Sequence, residues 1–131
     1  MIWLPVTLAA VAAAAILNLW LSIRVGAIRR AASISVGCGD SEPLERRMRA
    51  QANFVENTPF VLALIAVIEM AGVGEPWLAY VAGAYFIARI AHAYGMDGGS
   101  LGLGRMIGTI VTMLTLLGLA VVAALVAARV F

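Results

Sequence analysis

Four long apolar runs set the outline of this chain: Ile2 to Ile23, Leu44 to Ala71, Pro76 to Tyr94 and Arg105 to Val130. At 1.5 Å of rise per residue, each is long enough as an α-helix to cross about 30 Å of hydrocarbon. A segment in lipid has no water for its backbone amides and carbonyls, so it must pair them within itself, and runs of this length do so as helices. The expected fold class is all-α, an integral membrane four-helix bundle in which residues 1–131 form one domain. Composition agrees: 63% of the 131 residues are hydrophobic and only 12% charged, far from the balance of a soluble domain. The first run lacks a basic leader and spans by itself, so it is expected to stay as the first helix.

The polar segment Arg24 to Pro43 is the one substantial loop between runs, and it is too short for a domain of its own. Arginines crowd it and the start of the second run (Arg46, Arg47, Arg49), whereas the turn Gly72-Val73-Gly74-Glu75 has no basic residue. The positive-inside rule then puts the long loop in the cytoplasm and both termini outside. Trp3 and Trp77 fall near the outer interface and Trp20 near the inner one, as aromatic belts require. The single cysteine, Cys38, sits among Gly37, Gly39 and Asp40 and is expected in a flexible loop. Gly95, Gly98, Gly99, Gly102 and Gly104 are expected to form a flexible turn, and Gly104-xxx-Gly108 to allow close helix approach.

Strongly polar residues inside a membrane helix are costly and usually functional. Arg49, Asn53 and Glu56 are spaced i, i+4, i+7, which places them on one helical face. Arg89 and His92, at i, i+3, end the third run, and Arg105 opens the fourth. With the topology above, all six are expected to converge at one depth, in the cytoplasmic half. An arginine fork binds a carboxylate, asparagine offers donor and acceptor, and a glutamate holds an ammonium group, a set suited to a zwitterionic peptide-like ligand. An internal Arg49–Glu56 ion pair is the plainer alternative, although two turns separate the residues by about 10 Å. Pro59 removes a backbone donor and crowds the carbonyl of Val55, so a bend beside Glu56 is expected. No Ser/His/Asp combination, metal-ligand cluster or phosphate-cradling glycine loop is present, which leaves hydrolase, metalloenzyme and nucleotide readings without support.

Arg49-Ala50-Gln51-x-Asn53-x-x-Glu56-x-x-Pro59, preceded by Glu42 to Arg47 and followed by Ala88-Arg89-x-x-His92 and Arg105, resembles the MAPEG family, the membrane-associated proteins in eicosanoid and glutathione metabolism. The resemblance covers nearly the whole chain. It implies a left-handed four-helix bundle assembled as a homotrimer, with glutathione as co-substrate held between subunits near the cytoplasmic side. By resemblance Arg49, Asn53 and Glu56 fall on glutathione-binding positions, Gln51 and Arg29 on positions that hold a glutathione carboxylate, and Arg89 and His92 on third-helix ligand positions. Arg105 falls where catalytic members stabilise the thiolate. Where several of those members carry a tyrosine two turns after the third-helix arginine, this chain has Met96, and Tyr94 is the nearest phenol.

The leading expectation is a glutathione-dependent membrane transferase or peroxidase that activates the thiolate against a lipophilic electrophile or hydroperoxide, in a bacterial inner membrane. A non-catalytic lipid- or glutathione-binding protein of the same fold is the alternative. A small transporter with Glu56 and Arg89 in an ion path is disfavoured by the nearly apolar outer half.

Overall fold

A computed structural model describes residues 1–98 and 102–131. Four helices follow one another: α1 (Pro5–Ala32), α2 (Glu42–Met70), α3 (Trp77–Asp97) and α4 (Leu103–Ala127). The fold is all-α, as the apolar runs predict. Three of the helices, α1, α2 and α4, are long and apolar enough to cross a membrane. In α3, Arg89 and His92 lower the hydropathy of a helix of only 21 residues.

Two expectations need correction. The residues Arg24 to Ala32, read as the start of a loop, continue α1. Arginine and alanine are good helix formers, and a helix need not stop where the bilayer does. It stops where Ser33 turns left-handed (φ 56°) and its amide bonds back to the carbonyl of Arg29. The loop proper is therefore residues 33–41. Likewise Gly95 and Gly104, expected in a turn, lie within α3 and α4, and Gly99 lies outside the described residues.

Local chemistry explains the other boundaries. Ser41 caps α2, its hydroxyl accepting from the amide of Leu44, with Pro43 in the first turn, where a missing amide proton costs nothing. Helix α2 then runs unbroken through Pro59. At its far end Gly72 and Gly74 take positive φ (73° and 152°), and a Cβ at Gly74 would meet the side chain of Leu78. Helix α1 begins at Pro5 with no side-chain cap of its own. Glu69, at the end of α2, supplies one: its carboxylate accepts from the amides of Val6 and Thr7 at 2.9 and 2.8 Å and from the Thr7 hydroxyl at 2.7 Å.

Helices α2 and α3 are the central pair. Each touches both α1 and α4, while α1 and α4 do not touch among the described residues. Val61, Ile65, Leu78 and Tyr85 are fully buried at the centre of one cluster with Ala10 and Leu119, and Leu17, Leu21, Phe54 and Ala93 anchor a second. Large apolar side chains such as Ile16, Phe60, Ile87 and Leu117 point outward. For a membrane helix that is no penalty, because lipid tails are as apolar as leucine and close packing holds the helices together.

Candidate functional site

The face of α2 that carries Arg49, Asn53 and Glu56 is turned away from the core. Arg49 and Glu56 are exposed and Asn53 is half-buried, because the buried positions of α2, among them Ala50, Phe54 and Val61, lie on the other side of the helix. The salt bridges among the described residues join Arg24 and Arg47 to Asp97 and Arg46 to Glu42, so no Arg49–Glu56 pair neutralises this face. It presents a cation, an amide and an anion whose side chains engage no other described residue of their own subunit.

Gln51 is two residues from Arg49 and Asn53 and points elsewhere. Its side-chain amide donates to the Ser22 hydroxyl at 2.6 Å and to Asn18 Oδ1 at 3.4 Å, both on α1. Arg29, near the end of α1, donates to the carbonyl of Gly37 at 2.7 Å and lies against the Met48 sulfur. Gln51 and Arg29 therefore border α1, not the Arg49–Asn53–Glu56 face of the same chain.

Arg89 and His92 are also set apart, buried within the subunit at 2% and 3% exposure. Small residues make this possible. A Cβ at Gly108 would fall on the Cβ of His92, and one at Gly104 would lie 2.5 Å from the Ala91 carbonyl oxygen. The Gly104-xxx-Gly108 pattern thus does what its spacing predicts and brings α4 onto α3. In this seam the Arg89 guanidinium donates to the Thr112 hydroxyl at 3.0 Å and lies over the ring of Phe54, 6.0 Å from its centroid. One turn away Tyr85 and Thr58 share a hydrogen bond of 2.8 Å between α3 and α2. Arg89 Nε and His92 Nδ1 have no hydrogen-bond partner among the described residues. The six residues expected to converge therefore divide within one subunit into an outward group, Arg49, Asn53, Glu56 and Arg105, and an inward pair, Arg89 and His92.

Arg105 is exposed in the first turn of α4, and Thr109 donates to its carbonyl at 2.9 Å. Its backbone rests on Gly95, where any Cβ would overlap the Arg105 amide nitrogen. Gly95 is thus a spacer that sets where α4 begins, and glycine-rich composition disguised it as a turn. The open first turn of a helix carries partial positive charge, which adds to the guanidinium and favours an anion there.

Tyr94 belongs to another cluster. Its ring packs against Trp20 with centroids 5.5 Å apart, and the Arg24 guanidinium lies 4.8 Å from the Trp20 centroid and 5.2 Å from that of Tyr94. Arg24 pairs with Asp97 and donates to the carbonyl of Ala93 at 3.3 Å. Arg47 reaches Asp97 at 3.5 Å and the Arg24 carbonyl at 2.8 Å. This knot ties α1, α2 and α3 at the arginine-rich end.

No curated protein matches the chain. A sequence model of the MAPEG family matches residues 7–125, which takes in nearly all of the four helices and every candidate site residue described above. Extent and order of motifs agree with the four-helix architecture: the chain belongs to the MAPEG family.

Proposed function

We propose that this protein is a glutathione-dependent membrane transferase or peroxidase, working as a homotrimer with its sites between adjacent copies. The observation that carries the reading is the unengaged Arg49–Asn53–Glu56 face on a membrane helix. Lipid cannot satisfy such groups, so another polar surface must. Gln51 and Arg29 lie toward α1, away from that face, so two unlike polar surfaces are available for contact. Unlike faces meet head to tail, and such contacts form a ring where the rotation closes, here after three copies. In the ring, Arg49 pairs with a glutathione carboxylate, Glu56 with its ammonium group and Asn53 with a peptide group, while Gln51 and Arg29 of the adjacent copy reach the other carboxylate. Arg89 and His92, buried in the α3–α4 seam, stand behind the site and hold α3 and α4 in position around it, whereas Tyr94 packs with Trp20 and Arg24 in a separate cluster.

Arg105 performs the activation. A free thiol, pKa about 8.5, is only a few per cent ionised at neutral pH, and lowering it by about 1.5 units takes roughly 2 kcal/mol of preferential thiolate stabilisation. One desolvated guanidinium beside a helix N-terminus supplies that much. The thiolate attacks a lipophilic electrophile arriving through the bilayer, forming a carbon–sulfur bond as the leaving group departs with its electron pair. With a hydroperoxide, attack on the distal oxygen forms a sulfur–oxygen bond as the O–O bond breaks; the alkoxide leaves and takes a proton to become the alcohol, and a second glutathione reduces the resulting sulfenic acid to the disulfide with release of water. The arginine-rich end faces the cytoplasm, by the positive-inside rule, in a bacterial inner membrane.

Calorimetry of glutathione binding to the purified protein, paired with stopped-flow absorbance of the thiolate, tests this. Binding with a thiolate signal is the expected result. Binding without one would move the assignment to ligand holding, and no binding would remove glutathione from the site. Cross-linking in detergent is expected to give a trimer.

A further inference from the structure

Between α1 and α3 runs a groove that the glutathione reading does not use. Its wider half, about 570 Å³, is lined by Ile16, Leu17 and Trp20 of α1 and by Phe86, Ile90 and Tyr94 of α3. A narrower half of about 260 Å³ continues between Ala9 and Ala10 on one side and Ala82 and Gly83 on the other. Ala13 and Phe86 line both halves, so the two lie end to end along one open groove. From Val6 to Trp20 the α1 wall rises about 21 Å, on the scale of one extended fatty-acyl chain. The narrow half takes up about 10 Å of that rise and is walled on both sides mainly by alanine and glycine. That space admits a hydrocarbon chain.

The two ends of the groove differ. Trp20 and Tyr94 stand at the wide end with Arg24 behind their rings. Arg24 and Arg47 share the single carboxylate of Asp97, which leaves the knot with one net positive charge. Tyr94 is 61% exposed. The narrow end is walled by Val6, Ala79 and other uncharged residues. A matching occupant is apolar along one chain length and anionic at one end. We propose that the α1–α3 groove seats one acyl chain of an anionic phospholipid, its phosphate beside Tyr94 and the Arg24–Arg47–Asp97 knot. Tryptophan and tyrosine at the mouth suit headgroup depth.

Trp20 reports occupancy directly once Trp3→Phe and Trp77→Phe make it the sole tryptophan. The full chain is placed in phosphatidylcholine vesicles doped with brominated phosphatidylglycerol or brominated phosphatidylcholine, and quenching is followed against mole fraction. Half-quenching by the anionic lipid is expected at no more than one fifth of the mole fraction that the zwitterionic lipid needs. Gly83→Leu is expected to bring the two curves together; a Cβ at Gly83 meets nothing within 4 Å, so the added side chain starts into open space in the narrow half. Coincident curves in the parent would reduce the groove to ordinary bilayer solvation and overturn the proposal. A preference that survives Gly83→Leu would place the lipid elsewhere and do the same. Quenching by neither lipid would show the groove closed to lipid and overturn the proposal as well. None of these readouts depends on glutathione.

Discussion

The α3–α4 seam and the outward face of α2 both hold charged residues in a membrane protein, and they treat them in opposite ways. In the seam, Arg89 is enclosed by Phe54, Thr112 and the close contact that Gly104 and Gly108 allow. On α2, Arg49 and Glu56 stand in the open with no salt bridge to another described residue. A subunit that can bury one arginine this thoroughly has not left others bare for want of means. The difference separates charge that serves the fold from charge held ready for something outside the subunit.

The comparison breaks most severely at Gly108. Gly108→Leu should force α4 off His92 and cost about 3 kcal/mol or more, since overpacked seams cannot yield to a whole side chain; its unfolding in a denaturing detergent series should shift accordingly or the protein should fail to accumulate. On the outward side, Arg105→Ala should lower turnover about a hundredfold, or roughly 2.7 kcal/mol of barrier, with little change in glutathione affinity. Glu56→Ala should do the reverse and mainly weaken affinity. Turnover in Arg105→Ala equal to the parent's would remove its assigned role. Thr112→Val should destabilise the fold by about 2 kcal/mol by leaving the buried guanidinium without its hydroxyl partner, while glutathione affinity changes little. The smallest effect is expected at the far end, where Glu69→Ala should cost about 1 kcal/mol and speed amide exchange at Val6 and Thr7 without altering glutathione binding.

Much of the fold can be read from the residues because its signals are local. Four apolar runs, the i, i+4, i+7 spacing of Arg49, Asn53 and Glu56, and the Gly104–Gly108 pair each need only helical geometry. Rotation of α3 was not legible: in a helix apolar on nearly every side, nothing in the pattern tells whether Arg89 looks inward or outward. Arg24 to Ala32 resembled a loop because hydropathy follows the bilayer, whereas the helix follows backbone hydrogen bonds. Gly95 and Glu69 depend on what lies across from them, an Arg105 amide and the α1 N-terminus, and no spacing rule carries that information. Gln51, adjacent in sequence to the candidate ligand residues, turns out to face α1 through simple helical rotation of 100° per residue.

The clasp of Glu69 on Val6 and Thr7 also bears on how the chain is made. The first turn of a helix has amides that its own backbone cannot satisfy, and here their partner lies 62 and 63 residues farther along. While the ribosome is still extending α2, the leading end of α1 is unfinished. Only when the last turn of α2 emerges does the carboxylate reach it. The first hairpin therefore matures as a unit, its earliest residues waiting on its latest, and loss of that single side chain should be felt during insertion before it is felt in the finished protein.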